Sequence, residues 1–287
     1  MGLLQEFSIS LERRVRGWRE YQQHRDSDSV VVSYGKSGRT WLRVMISRYC
    51  QLKYELPDDL LLEFDNFQRI NPAAPRIFFT HDNYLRSYTG NRDTKLDYYH
   101  KNTLLLVRQP QDVAVSQFFQ WKYRMRKRKK VINRYPPHDA DISLLEFVHD
   151  PGQGLPNVIR YMNDWARDTE SLQSFRLTRY EDLRSQPEQE MERIIDFLGL
   201  EPRSEWIADC VQFASLENLR TKERANHFRG SRLQAGDPDN PDSYKVRRAK
   251  VGGYKDYFSD QEVAELDAMV NRDLSPLFGY RAEDPAN

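Results

Sequence analysis

Tyr34-Gly35-Lys36-Ser37-Gly38-Arg39-Thr40-Trp41 packs two glycines, two cations and two small hydroxyl side chains into eight residues. The β-branched run Val30–Val32 precedes it and a helical pattern follows, so it reads as the turn joining a strand to a helix. Such a turn aims backbone N–H groups and the positive end of a helix dipole at one spot, which binds phosphate. Lys36 adds a mobile cation, and Ser37 and Thr40 add hydroxyl donors. A Walker A loop carries a glycine six positions before its lysine. Here that position is Val30, and no apolar strand ends in an acidic residue that could hold magnesium. A nucleotide-dependent kinase is therefore the weaker alternative for this loop.

Three more segments offer related chemistry. Val107-Arg108 through Ser116 is a second strand end, turn and helix start, with a cation and a hydroxyl. Val246-Arg247-Arg248-Ala249-Lys250-Val251-Gly252-Gly253-Tyr254-Lys255 is basic and glycine-bearing, suited to wrap a second phosphate. His81 follows the apolar run Arg76–Thr80, at a strand end, where α/β folds place their ligands.

These residues need a frame. Apolar strands are expected at Ser29–Tyr34, Arg76–Thr80, Thr103–Val107 and Phe175–Thr178, their near-continuous hydrophobicity matching parallel strands buried on both faces. Helices are expected at Leu3–His24, Thr40–Leu52, Gln111–Arg124, Leu155–Ser171, Glu188–Leu198 and Asp260–Val270. Pro187 opens the fifth of these and Gly199 sits where a glycine cap closes it. Strands alternating with helices give an α/β fold of three layers, helices on both faces of a central parallel sheet. No composition shift divides the chain, so 1–287 reads as one domain, with 1–28 an N-terminal helical segment and 236–250 a mobile loop rich in turn formers.

Taken in order, Tyr-x-Lys-Ser-Gly-x-Thr-Trp at 34–41, Arg-x-x-x-Asp-Val-Ala-Val-Ser at 108–116, Tyr-Glu-Asp-Leu at 180–183 and Arg-Arg-Ala-Lys-Val-Gly-Gly-Tyr-Lys-Asp-Tyr-Phe at 247–258 resemble the cytosolic-type sulfotransferases. That family uses 3′-phosphoadenosine-5′-phosphosulfate (PAPS) and releases 3′-phosphoadenosine-5′-phosphate (PAP). The resemblance spans about residues 29–270. It implies that Lys36, Ser37, Gly38, Arg39 and Thr40 cradle the 5′-phosphosulfate and that Trp41 packs on the adenine. It implies 3′-phosphate contacts from Arg108 and Ser116, an adenine-side contact from Tyr180, and a clamp from Arg247, Arg248 and the backbone of Ala249. His81 would be the catalytic base, Lys36 would stabilise the departing nucleotide oxygen, and Ser116 would restrain Lys36. The chain departs from the family pattern at Arg39, commonly threonine; at Phe79, commonly lysine; and at Ala214-Ser215-Leu216, where the family has Thr-Ser-Phe. Ser259 and Ala264 also break the segment through which the family often dimerises. Sulfuryl transfer needs no metal, and no His/Cys/carboxylate cluster here has metal-ligand spacing.

The acceptor is less legible. Phe78, Phe79, Tyr84, Phe118, Phe119, Trp121 and Tyr123 fall near the expected active-site strand ends and suit a phenol or apolar alcohol. Against that, the run 122–134 carries eight basic residues and no acidic one. It reads as a solvated loop, as a contact for an anionic acceptor or glycan, or as a peripheral contact with an anionic membrane. The acceptor is thus a small molecule, a lipid or a carbohydrate.

Composition bounds the rest. Across 287 residues, 44 Lys and Arg offset 43 Asp and Glu for a formal charge of +1, which argues against a nucleic-acid partner. With 39% hydrophobic residues the chain can bury a core. Arg13, Arg14 and Glu12 stand where a secretory leader needs its apolar centre, so a cytoplasmic location is expected. A non-catalytic binder of nucleotides or anionic polymers is the alternative from outside the enzymes.

Overall fold

Val30, Val31 and Val32 are wholly buried, because the strand that carries them, β1 (Ser29–Ser33), is covered on both faces. The computed structural model describes residues 3–229, 233 and 250–282. A 24-residue helix, α1 (Leu3–Asp26), precedes β1, which leads into α2 (Arg39–Tyr54). The chain continues through β2 (Ile77–Thr80), α3 (Leu85–Thr89), β3 (Asn102–Val107) and α4 (Pro110–Phe119). A π-helical turn (Gln120–Arg124), α5 (Lys127–Ile132), α6 (Leu144–His149) and α7 (Leu155–Asp168) lead to β4 (Ser174–Arg179). After it come α8 (Tyr180–Ser185), α9 (Pro187–Phe197), α10 (Ser204–Phe213), α11 (Leu216–Arg224) and α12 (Asp260–Asp273).

The sheet order is β2-β1-β3-β4, with every neighbouring pair parallel. Side-chain alternation then sorts the core into two layers. Val31, Leu104 and Leu106 face α2, α9 and α10, while Val30, Val32, Leu105 and Val107 face α4, α7 and α12. Both layers bury apolar side chains from strand and helix, and the three-layer α/β expectation holds. All four expected strands are present within one or two residues of their expected ends.

Gly199, at φ 75, caps α9 in the left-handed conformation that suits glycine. Cys50 on α2 and Cys210 on α10 lie buried in the same core layer. Burial pushes the Cys50 thiol up to about 12 and raises Cys210 too, so neither is a thiolate at neutral pH.

The basic run 122–134 is not simply a loop. Its first part forms the π turn and its middle forms α5. Lysine and arginine are good helix formers, and tertiary contacts absorb several of the charges. Arg128 pairs with Glu12 of α1 at 2.6 Å, Arg124 lies 3.7 Å from Glu223 of α11, and buried Lys130 sits 4.8 Å over the Trp121 ring. Among the described residues, no helix is long and apolar enough to cross a membrane.

Candidate active site

The turn after β1 is held in an unusual backbone path. Gly38, at φ 97, precedes the first residue of α2, and a Cβ there would lie 2.5 Å from Cδ2 of Tyr180. Glycine is needed both for the dihedral and for the close approach of the Tyr180 ring. Lys36 occupies the left-handed region at φ 74. Such a conformation costs a non-glycine residue roughly 1–3 kcal/mol and persists where the surroundings fix it. The Lys36 ammonium donates to Gln120 Oε1 at 3.4 Å, and Ser116, one helical turn before Gln120, lines the same cleft.

Beside this loop, Trp41 and Tyr180 meet edge to face with ring centroids 5.6 Å apart, and Trp41 Nε1 donates to the Ala214 carbonyl at 2.8 Å. Arg108 stands over the Tyr180 ring at 4.6 Å. Its Nη2 donates to Asp112 Oδ2 and to the Lys250 carbonyl, each at 3.0 Å. Buried Asp112 also accepts from the backbone N–H of Gly252 at 3.0 Å and of Tyr254 at 2.9 Å. One carboxylate thus fastens the glycine-bearing segment near residue 252 to the start of α4. The motif 108–116 contains Asp112, but sequence reasoning gave it no role, because the acceptor geometry exists only after distant segments meet. Arg247, Arg248 and Ala249 lie outside the described residues, as does the expected loop 236–250 apart from Lys250.

His81 leaves the end of β2 with its ring held at both nitrogens. Nδ1 is 2.7 Å from the Ser33 carbonyl, and Nε2 is 2.7 Å from Arg39 Nη2. A carbonyl only accepts and a guanidinium only donates, which assigns the proton to Nδ1 and leaves a lone pair on Nε2. Arg39, expected to join the phosphate cradle, here reaches to the histidine.

Two acids, buried Asp82 and half-buried Glu20, fix the turn after His81. Asp82, at φ 61, accepts from Lys95 Nζ at 2.7 Å and from the Tyr98 hydroxyl at 2.8 Å. Glu20, from α1, accepts from the Thr80 hydroxyl and the Leu85 N–H, both at 3.1 Å. Burial raises the Glu20 carboxyl to about 7. Neither acid carries a local sequence signal, because each acts through an element remote in the chain.

The loop after β1, His81, Arg108 and Tyr180 open on one cleft of about 470 Å³. Lys36, Arg39, Thr40, Trp41, His81 and Arg108 line it, as do Ser116 and Tyr180. Buried Ser37 does not. The aromatic residues expected to receive the acceptor are elsewhere. Phe78 is in the core beneath the sheet, Phe79 stacks on Arg43 at 4.1 Å, and Phe118 and Trp121 build a satellite cluster with Phe147. Phe119 packs against the α4 side of the sheet core, and Tyr123 stacks on it, with centroids 6.1 Å apart. Tyr84 is buried against Arg13 and Arg16 of α1. The walls beyond His81 instead carry Arg13, Asn83, Arg86 and Asn157, contributed by helices and turns far apart in the sequence.

Comparison with known proteins identifies the family. The family model for the sulfotransferase domain matches residues 26–277. Cytosolic sulfotransferase 10 of Arabidopsis thaliana is 24% identical, the match covering 88% of this chain and 79% of the relative. Flavonol 3-sulfotransferase of Flaveria bidentis is also 24% identical, covering 94% and 88%. Among solved structures, the mouse sulfotransferase SULT7A1 complexed with PAP superposes with a TM-score of 0.57 at 20% identity, covering 88% of this chain and 87% of that one. Retinol dehydratase in a complex with retinol and PAP gives 0.55 at 17% identity, covering 86% and 82%. The fold, the phosphate-type loop and the strand-end histidine occur together in a chain that belongs to the sulfotransferase family.

Proposed function

We propose that this protein is a PAPS-dependent sulfotransferase that moves a sulfuryl group onto a hydroxyl of a small-molecule acceptor. The observation that carries the reading is His81, held as a neutral base on the same cleft as the cationic loop of Lys36. The donor set fits a nucleotide with anionic groups at both its 5′ and 3′ positions. The start of α2, Lys36 and Thr40 suit a 5′-phosphosulfate. Arg108 suits a 3′-phosphate, since its buried Nε has no hydrogen-bond partner among the described residues. Trp41 and Tyr180 offer aromatic faces and edges to a purine. The clamp role of Arg247, Arg248 and Ala249 and the roles of Ser37, Gly38 and Ser116 belong to the same proposal.

Bound PAPS supplies the activated sulfuryl group. The chain's own residues supply the rest. His81 Nε2 takes the proton of the acceptor hydroxyl, and the Ser33 carbonyl on Nδ1–H holds the ring and stabilises the imidazolium that forms. Lys36 brings positive charge to the loop where negative charge collects on the leaving oxygen. Arg39 must yield Nε2 to the acceptor, so arrival of the hydroxyl and release of the guanidinium are one exchange. The relatives named cytosolic support a cytoplasmic place of action.

Calorimetric titration tests the reading with PAP, adenosine 5′-phosphate and ATP, each with and without magnesium. PAP is expected to bind most tightly and without metal. Arg108→Ala should cost PAP about 10–100-fold and the ligand lacking the 3′-phosphate much less. A preference for magnesium–ATP would move the protein to the kinases.

A further inference from the structure

Beyond His81 the cleft is built for charge and hydroxyls. Four cationic side chains line that end: Arg13 from α1, Arg86 from α3, Lys129 from α5 and Arg160 from α7. Among the described residues, Asp164 is the one carboxylate lining it, and Asp164 is shared between Arg86 at 3.3 Å and Arg167 at 2.6 Å. Arg13 donates to a neutral acceptor, the Ile132 carbonyl, at 3.0 Å, and Arg160 donates to the Asn157 amide. Arg13 and Arg160 are thus held by neutral acceptors rather than by carboxylates. Burial first, and then the guanidiniums of Arg134, Arg92 and Arg86, hold Arg13 below its ordinary range. Collecting like charges at a half-buried wall is unfavourable unless an anion is to be bound there.

Between these cations lies a set of amides. Asn157 Nδ2 donates to the Tyr34 hydroxyl at 2.8 Å, and Asn83 Nδ2 donates to Asn133 Oδ1 at 3.3 Å. Gln153 Nε2 donates to the Asn133 carbonyl at 3.1 Å. Among the described residues, Asn83 and Gln153 are anchored through the NH2 group alone, Asn133 and Asn157 through both ends of the amide, and all four side chains line the cleft. Amides that both donate and accept are suited to hydroxyl groups, which do the same. Apolar lining at this end comes from Met125 and the rings of Tyr34, Tyr135 and Tyr161, whereas a pocket for a flat aromatic alcohol would be mostly apolar.

Resting on the sulfotransferase reading, we infer that the acceptor is a hydroxyl-rich anion of the acidic-sugar kind. Its acid group is held by Arg13, Arg86 and Arg160, and its hydroxyls are sorted by the amides so that one meets His81. Of the basic run, Lys129 faces the cleft.

The test uses a matched pair differing in one carboxylate, methyl β-D-glucuronide and methyl β-D-glucoside, with 2-naphthol as the apolar probe. Turnover with PAPS and calorimetric binding to the PAP-loaded protein are both read. A preference of about tenfold or more for the glucuronide in kcat/KM or affinity is expected, falling steeply with added salt. Arg160→Gln, at an exposed position that leaves the fold intact, and Arg13→Lys should reduce that preference through KM or affinity while sparing PAP binding. Equal handling of the two sugars, tighter binding of 2-naphthol, or no binding of the glucuronide overturns the inference. Failure of PAP itself to bind would instead overturn the underlying sulfotransferase reading, so the two failures are distinct.

Discussion

Arg39 Nη2 and His81 Nε2 stand 2.7 Å apart, joining the first residue of α2 to the residue that follows the edge strand β2. The contact sets which nitrogen of the ring can take a proton and which hydrogen bond an acceptor must replace.

If His81 is the base and Arg39 positions it, their substitutions will not add. His81→Ala should lower kcat by about 10²–10⁴-fold with PAP affinity kept. Arg39→Ala should lower kcat about tenfold in the native protein and have almost no effect on top of His81→Ala. Steady-state kinetics on the two single variants and the double variant provide the check. Additive losses would separate the two residues.

Glu20 links stability to pH. Burial lifts its carboxyl from 4.5 to about 7. Between those values the native protein holds a proton that the unfolded chain has released, so this group's contribution falls as pH rises through that window. Glu20→Gln, which keeps an oxygen for Thr80 and Leu85, should remove the fall. Urea unfolding at pH 4.5, 5.5, 6.5 and 7.5 should show the variant gaining on the native protein as pH rises.

Asp82 and Lys95 are each about 1% exposed and 2.7 Å apart. Lys95→Met would leave a carboxylate buried with the Tyr98 hydroxyl as its remaining donor among the described residues, at a cost of about 3–5 kcal/mol. Adding Asp82→Asn removes that charge and should recover part of the loss. Denaturant midpoints of the single and double variants measure this, and a single variant as stable as the double would show that the pair is not acting as a buried ion pair.

The parts of the fold that were legible in the sequence are those whose signal is local. Val30–Val32 and Leu104–Leu106 are continuous apolar runs, and a two-faced parallel strand demands that pattern. Lys36, Arg108 and His81 were legible as strand-end residues and do share one cleft. Helices α8, α10 and α11 were not read, since each is short and its burial depends on a few contacts such as Ile207 and Leu219. Phe118 and Trp121 misled because their types suit a ligand, while the helical path after Ser116 turns them toward Phe147. Arg13 and Arg86 gave no signal. Each is an ordinary helical arginine until α1 and α3 pack together beside β2.

Asp112 has a consequence for the order in which the protein is made. The loop at 34–41 leaves the ribosome more than 200 residues ahead of Gly252 and Tyr254, whose N–H groups that carboxylate gathers. An emerging chain could already shape the loop and β1 while Arg108 and Asp112 wait for a partner still being synthesised. Nucleotide affinity would then arrive late and abruptly, marking a chain elongated past residue 254 and closed upon itself.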